Sequence, residues 1–193
     1  MIIIGLTGSI GMGKTETSKL FAAEGIPVFD SDAAVHSLLE AGGGGVNAVG
    51  REFPVALVGN KIDRKKLGQV VFGNDVALQK LENILHPMVT TLRNKFLDNA
   101  STDIVLFDIP LLFEKSYEAD CDFVVVVSAP FEVQKERVLR RSGMTEDRFM
   151  SILSKQMPDE EKRRRADFVV DTDKGLVIAR IRVKEIIKNI KEG

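Results

Sequence analysis

A glycine-rich loop of fixed spacing, G-x-x-x-x-G-K-[ST], occupies residues 8–15. Such a loop binds phosphate where it joins a buried strand to the N-terminus of a helix. Residues 1–6 form a short, β-branched apolar run typical of a buried parallel strand. Residues 17–25 have a helical pattern that ends at a glycine. The segment therefore predicts strand, loop and helix around the phosphates of a nucleoside triphosphate.

The fixed positions of the loop each answer a physical need. Its glycines allow tight turns and a close approach of backbone N–H groups to phosphate oxygens. Lys14 supplies a mobile positive charge for the β- and γ-phosphates, and the Thr15 hydroxyl can ligate Mg²⁺. The expected ATP-binding residues are Gly8, Ser9, Gly11, Met12, Gly13, Lys14, Thr15 and Glu16.

Composition narrows the class of protein. The chain has 193 residues, of which 44% are hydrophobic and 28% charged, so one domain with a sizeable core is expected. The formal net charge of −1 argues against a general nucleic-acid-binding protein. Cys121 is the single cysteine, and no apolar run approaches the ~18 residues of a membrane span. We expect a cytoplasmic protein, with a monomer favoured.

Four more apolar runs follow the first one, and each is continuous rather than alternating. They cover residues 26–30, 104–108, 123–127 and 168–171. Continuous runs indicate strands buried on both faces, and helical segments lie between them. The pattern predicts an α/β fold with a doubly wound, parallel five-stranded sheet. Apolar residues at helical spacing, from Leu176 to Ile190, predict a C-terminal helix packed on it.

Two segments exceed what a minimal P-loop sheet needs. Residues 31–102 form a helical insertion, with helices expected at 33–41, 64–72, 77–85 and 89–99 and a flexible loop at 42–45. Ligands of open α/β sheets bind at the carboxyl ends of the strands, where this insertion begins. Residues 133–165 are helical and arginine-rich, as expected of a lid. The core then comprises residues 1–30, 103–132 and 166–193.

The arginines of the lid segment divide into two groups. Arg137 and Arg141 are four residues apart, and we expect them on one helix face, where they could close over a phosphate. Residues 163–165 are three consecutive arginines with acidic residues nearby, and we expect them on a solvated helix.

Carboxylates at two strand ends are candidates for phosphoryl-transfer chemistry. Such transfer needs a carboxylate that orients or deprotonates the acceptor hydroxyl. We expect Asp32 to have this role and Asp30 to cap the following helix. Asp108 ends an apolar strand in the Walker-B pattern, and either it holds Mg²⁺, directly or through water, or it supports the strand end. The expected metal-site residues are thus Thr15 and Asp108.

Residues 60–63, Asn-Lys-Ile-Asp, look like the guanine-reading segment of a GTPase. A GTPase should also have a D-x-x-G element before them, and neither aspartate between Thr15 and Asn60 begins one. We therefore expect a loop with turn residues there. His36 is expected to be exposed or packed. His86 precedes Pro87 and should mark a helix end, with either a substrate contact or a capping role.

Seven short motifs follow one another along nearly the whole chain. They are GLTGSIGMGKT at 5–15, VFDSD at 28–32, IDRKKLG at 62–68, LHP at 85–87, DIPLLFE at 108–114, QMP at 156–158 with Lys162 beyond, and ADFVVD at 166–171. In this order they resemble the dephospho-CoA kinase family, which acts last in coenzyme A biosynthesis. Departures are modest: Met12 and Thr15 stand where the family often has Ser, and Thr172 where it often has Asn near the adenine.

The resemblance implies an ATP-dependent kinase with Mg²⁺ that phosphorylates the 3′-hydroxyl of dephospho-CoA. It implies a P-loop core, a CoA-binding helical insertion and an arginine-bearing lid. The catalytic residues we expect are Asp32, Lys14, Arg137 and Arg141, and the acceptor-binding residues are Asp32, His86 and Leu111. Another P-loop kinase of nucleotides or small molecules, and a GTPase-like nucleotide switch, are the alternatives.

Overall fold

The computed structural model describes residues 1–192. Its strands are β1 (Ile2–Thr7), β2 (Val28–Asp30), β3 (Leu57–Val58), β4 (Lys61–Ile62), β5 (Ile104–Asp108), β6 (Phe123–Ser128) and β7 (Phe168–Asp171). Its α-helices are α1 (Lys14–Ala23), α2 (Ser31–Leu39), α3 (Val46–Glu52), α4 (Arg64–Val71), α5 (Asp75–Asn99), α6 (Phe131–Leu139), α7 (Glu146–Leu153), α8 (Asp159–Arg165) and α9 (Leu176–Glu192).

Five strands form one sheet in the order β2-β5-β1-β6-β7. Strand β1 pairs in parallel with β5 and β6, and β6 pairs in parallel with β7. Strand β5 is buried along its whole length, as expected where helices cover both faces of a parallel sheet. The predicted five-stranded parallel sheet is confirmed, and each predicted strand run overlaps an observed strand.

The chain divides into two compact units. The sheet unit comprises Met1–Val28 and the chain from Ser101 onward, and the helical unit comprises Phe29–Ala100. In the sheet unit, β1 and β6 contribute Ile4, Leu6 and Val125 to a core that Phe21 of α1 and Ile186 of α9 complete. No helix within residues 1–192 combines the length and apolarity that a membrane span requires.

Helix α9 covers the sheet as its apolar spacing predicts, with one exception. Its buried residues are Ala179, Val183, Ile186, Ile187 and Ile190. Leu176, which the spacing places on the same face, is 57% exposed. It is the first residue of the helix, where the apolar stripe has not yet reached the sheet.

The helical unit has a core of its own. Helices α2 to α5 and the β3–β4 hairpin surround buried side chains that include Leu39, Val49, Phe53, Ile62 and Leu85. Residues 46–52, after the glycine-rich loop, form α3 in addition to the expected helices, because Val46 and Val49 are buried in this core. The expectation that a helix ends at His86 was wrong, since α5 runs through Pro87.

Packing along the 25 residues of α5 explains why the helix continues through Pro87. The residue before a proline is biased away from the helical region, but the bias marks a probable helix boundary and not an obligatory one. Ala77 and Leu85 of α5 are buried in the helical core, and Asn74 caps its start by accepting from the N–H of Ala77 at 3.0 Å. Packing along the helix therefore outweighs the local signal, and His86 lies exposed within the helix rather than at an end.

The segment that resembles a guanine reader is a hairpin followed by a helix cap. Gly59 and Asn60 form the turn between β3 and β4, and Gly59 has a φ of +60°. The carboxylate of Asp63 accepts hydrogen bonds from the N–H groups of Lys65 and Lys66 at 2.9 and 3.0 Å. These bonds lower the pKa of Asp63 below its usual value. Asp63 thus caps α4, and the predicted loop with turn residues is a tight hairpin turn.

Candidate active site

The loop of residues 8–13 joins the C-terminal end of β1 to the start of α1. Gly11 and Gly13 have φ values of +80° and +98°, which side-chain-bearing residues rarely adopt. A Cβ atom at Gly11 would lie 2.5 Å from Cγ2 of Val138, so α6 packs directly on the loop. Helix α1 begins at Lys14 with Gly13 as its N-cap. The N–H groups of its first turn have no intrahelical partner and lie where the loop ends, which is a favourable place for an anion.

Lys14 and Asp108 form an ion pair beside the loop. In the register of β1 and β5, Asp108 lies opposite Leu6, which places its carboxylate at the strand ends where the loop begins. Asp108 is only 4% exposed. The two residues that the sequence assigns to phosphate and metal are thus brought into direct contact.

The donor atoms near this pair fit Mg²⁺ in chemical type. Asp108 offers a carboxylate, and Thr15 is exposed in the first turn of α1 with its hydroxyl. Mg²⁺ prefers such oxygens and completes its shell with phosphate and water. Within residues 1–192 no cluster of three or more His, Cys, Asp or Glu suited to a metal occurs. The hydroxyl of Ser9 in the loop is buried and has no hydrogen-bond partner among the described residues.

Arg137 of α6 binds the segment after β7. Its Nη1 donates to Oγ1 of Thr172 and its Nη2 to the carbonyl of Thr172, both at 2.8 Å. The same hydroxyl donates to the carbonyl of Met12 in the loop at 2.7 Å. Thr172 therefore connects the loop with the first lid arginine. The sequence marked Thr172 only as a departure from the family pattern, because nothing local reveals a contact across 160 residues.

Arg141 does not share a helix face with Arg137. Helix α6 ends at Leu139, and Arg140 is its C-cap, so Arg141 lies beyond the helix. The expectation that the two arginines share one helix face was wrong. Gly143, two residues on, has a φ of +73° and turns the chain toward α7. Arg141 is exposed and has no side-chain hydrogen bond or ion pair within the described part of the chain.

The three arginines at 163–165 all have acidic partners. Arg163 pairs with Asp171 at 2.7 Å and Arg164 with Glu161 at 2.7 Å. The pKa values of both guanidiniums rise because of these carboxylates. Arg165 pairs with Glu118, and its guanidinium lies 4.6 Å from the ring centre of Phe113. Their contacts are structural, although Arg165 packs on an aromatic ring rather than extending into solvent.

Asp30 caps α2 by accepting from the N–H of Ala33 at 2.9 Å, which confirms its predicted capping role. Asp32 is exposed in the first turn of that helix. His36, further along α2, is exposed and its Nδ1 lies 3.1 Å from Nη1 of Arg64. Asp32 and His86 belong to the helical unit, while Leu111, 38% exposed, follows β5 in the sheet unit.

A buried ion pair links α8 to the segment after β5. The side chain of Lys162 is fully buried, and its Nζ lies 2.8 Å from Oε1 of Glu114, whose side chain is 15% exposed. The N–H of Met157 donates to the same oxygen at 2.8 Å. Burial opposes ionisation of Glu114, but these two partners outweigh it and hold the pKa of Glu114 below its usual value. Both residues lie in motifs noted in the sequence. Lys162 directly precedes three arginines, and nothing in that charged segment indicated that its side chain is buried.

Comparisons with known proteins agree on one family. The model of the dephospho-CoA kinase family matches residues 2–177. A dephospho-CoA kinase of Agrobacterium fabrum is 52% identical over 193 residues, which cover 98% of each chain. The crystal structure of TT1252 from Thermus thermophilus has a TM-score of 0.89 at 36% identity and covers 97% of this chain and 96% of that one.

A more distant structure shares the fold. A dephospho-CoA kinase from Campylobacter jejuni has a TM-score of 0.64 at 24% identity, with 99% of this chain and 98% of that one covered.

Proposed function

The chain belongs to the dephospho-CoA kinase family, and we propose that Lys14, Asp32 and the lid arginines carry out its reaction. In that reaction the γ-phosphoryl group of ATP passes to the 3′-hydroxyl of dephospho-CoA. The observation that carries this assignment of residues is the Lys14–Asp108 pair beside a glycine loop that ends at the N-terminus of α1, where the first N–H groups have no intrahelical partner.

The loop of residues 8–15 holds the donor phosphates. Its N–H groups lie at the N-terminus of α1, where the helix dipole favours negative charge. Lys14 leaves Asp108 for the β- and γ-phosphates when ATP binds, because a triphosphate offers more negative charge than one carboxylate. Thr15 and Glu16 follow in the same first turn.

Asp108 and Thr15 would hold Mg²⁺ with the nucleotide, since both present oxygen ligands beside the loop. When bound, the ion would neutralise negative charge on the phosphates of ATP. Once Lys14 turns to the phosphates, the carboxylate of Asp108 would exchange its ion pair with that lysine for contact with the metal ion.

Asp32 orients the acceptor hydroxyl or takes its proton. Its carboxylate is exposed in the first turn of α2, whereas the carboxylate of Asp30 is engaged in capping. An exposed, uncommitted carboxylate two residues after a strand can reach a substrate hydroxyl, and a committed one cannot without uncapping a helix. His86 and Leu111 are further candidates for contact with the acceptor.

The lid arginines act on the phosphate in transfer. Arg141 is free to bind phosphate oxygens, since it has no acidic partner within residues 1–192. Arg137, anchored on Thr172, lies next to the loop through Met12 and supports the nucleotide there. Closing of residues 133–165 over the site would exclude water and limit hydrolysis of ATP.

We further propose that the protein acts as a cytoplasmic monomer. A single, half-buried cysteine suits a reducing compartment. Sedimentation of the pure protein with and without ATP measures its mass in solution, and a stable dimer would contradict this proposal.

The activity is tested with Mg-ATP and dephospho-CoA, followed by mass spectrometry of the acceptor. We expect the gain of one phosphoryl group and a product that co-elutes with coenzyme A and not with its 2′-phosphate isomer. Nucleoside monophosphates serve as competing acceptors. Phosphorylation of those, with no gain on dephospho-CoA, would overturn the proposal in favour of another P-loop kinase.

A further inference from the structure

Two glutamine side chains hold the peptide groups of one residue in the phosphate loop. The N–H of Ile10 donates to Oε1 of Gln156 at 3.0 Å. The carbonyl of Ile10 accepts from Nε2 of Gln134 at 2.7 Å. Ile10 is the third residue of the eight-residue loop, so both of its backbone groups are turned outward and are unavailable to phosphate.

The loop needs such a restraint because of its glycines. Gly11 follows Ile10 directly and has a φ of +80°, and Gly13 has a φ of +98°. Glycine populates several backbone regions almost equally, so a loop rich in glycine has alternative arrangements of its N–H groups. Phosphate binding requires one arrangement in which successive N–H groups converge. Hydrogen bonds on both sides of Ile10 fix the residue that enters this turn.

One glutamine lies at the start of the lid segment, and the other lies just before its last helix, α8. Gln134 lies in α6 and is 2% exposed, and its own carbonyl lies 3.0 Å from where a Cβ of Gly11 would be. Gln156 follows α7 and precedes Pro158. Arg137 and Arg141 lie between them in the sequence. The loop is therefore tied to both stems of the lid through a single residue.

We propose that Gln134 and Gln156 are positioning residues that set the phosphate loop for ATP. They touch neither substrate nor metal, and they act through the backbone of Ile10. This inference rests on ATP as the phosphoryl donor. It predicts that the two glutamines differ in the hydrogen-bond polarity they require, since Gln156 must accept and Gln134 must donate.

That polarity gives a matched experiment. Gln156→Glu keeps an acceptor for the N–H of Ile10, whereas Gln134→Glu replaces the donor with a carboxylate that faces a carbonyl. Both substitutions add one negative charge near the loop, and the Met variants at the same two positions remove the hydrogen bonds without adding charge, which separates the two effects. A cavity of about 630 Å³ adjoins both glutamines, which leaves room for Gln156→Met and Gln134→Met without a clash.

ADP binding by calorimetry is the readout, and it does not depend on which acceptor the enzyme uses. We expect Gln134→Glu, Gln134→Met and Gln156→Met to weaken ADP binding and to raise the KM for ATP by ~5–10-fold each. Gln156→Glu should bind at least ~3-fold more tightly than Gln134→Glu. The KM for dephospho-CoA should not change. Gln69→Met on α4, an exposed position, is the control and should match the parent protein.

Equal ADP affinity for Gln134→Glu and Gln156→Glu would overturn the proposal. So would lowered melting temperatures in all four variants with ADP affinity unchanged, since that is the result of a merely structural role. If Gln134→Glu does not fold, the comparison of Gln156→Met with Gln156→Glu decides in the same way. If the glutamine variants differ in ADP affinity as expected but the parent protein does not phosphorylate dephospho-CoA, the proposed function is overturned and this inference stands.

Discussion

The Nζ of Lys162 lies 2.8 Å from Oε1 of Glu114, and the lysine side chain is fully buried. The other carboxylate oxygen of Glu114, Oε2, is buried with no hydrogen-bond partner among the described residues. The buried ammonium group of Lys162 depends on the carboxylate of Glu114 for its counter-charge, so the two residues should be energetically coupled.

Replacement of Lys162 by Met should destabilise the protein by about 3–5 kcal/mol, because Glu114 would keep a buried charge without compensation. The double variant Lys162→Met with Glu114→Gln should recover part of that loss. Urea unfolding measures both. Arg164→Met removes an exposed pair with Glu161 and should have no measurable effect. Additive losses in the double variant would show that the two residues are not coupled.

The same pair predicts how stability depends on pH. The pKa of Glu114 in the folded protein lies below the ordinary value of 4.5. Its contribution is therefore fully present above that ordinary value and is lost as the pH falls through the lowered folded pKa. Glu114→Gln should reduce the stability difference between neutral and acidic pH. Urea unfolding of both proteins from neutral pH to about pH 3 measures this. Parallel curves for the two proteins would contradict it.

Asp32→Asn should lower turnover by ~10²–10⁴-fold if a carboxylate assists the acceptor hydroxyl, with ADP binding largely retained. Asp30→Asn is the matched control two residues earlier, since asparagine caps helices as well as aspartate does. Its turnover and melting temperature should stay near those of the parent. Steady-state rates with dephospho-CoA give the result, and unchanged turnover in Asp32→Asn would move the role to another carboxylate.

Thr172→Val should raise the KM for ATP by ~10-fold while the KM for dephospho-CoA stays constant. The valine has the same shape but loses the hydroxyl that binds both Arg137 and the carbonyl of Met12. Thr172→Ser retains that hydroxyl and should behave like the parent. Equal KM values for the valine and serine variants would mean that the hydroxyl does not organise the nucleotide site.

Arg141→Ala should reduce kcat by ~10²-fold, in keeping with the loss of one charged group that stabilises a phosphoryl in transfer. Arg140→Ala, at the adjacent position, removes only an exposed pair with Glu136 and should leave kcat unchanged. Single-turnover measurements with saturating ATP compare the two variants. Equal kcat values would remove Arg141 from the catalytic set.

The sheet was predictable because its strands are continuous apolar runs, and a strand with apolar residues at successive positions must be buried on both faces. The capping of α2 by Asp30 was predictable too, since a cap depends on residues three positions away. Such features depend on neighbours along the chain or on simple partition from water.

The errors arose where distant contacts decide. The course of α5 through Pro87 depends on packing in the helical core, and the end of α6 before Arg141 depends on a turn at Gly143. The contacts of Thr172, Gln134 and Gln156 with the phosphate loop join residues more than 120 positions apart. Polar side chains of this kind look like surface residues in a sequence until their partners are known.

The buried lysine also limits where the chain can hinge. Ion pairs of Lys162 with Glu114 and of Arg163 with Asp171 hold helix α8. Moving α8 away would separate the buried ammonium group of Lys162 from its counterion. The turn at Gly143 and the segment around α7 lie between the two glutamines and contain no fully buried lysine or arginine. We therefore expect closing movements of the lid to involve a shorter stretch than residues 133–165, with α8 remaining in place.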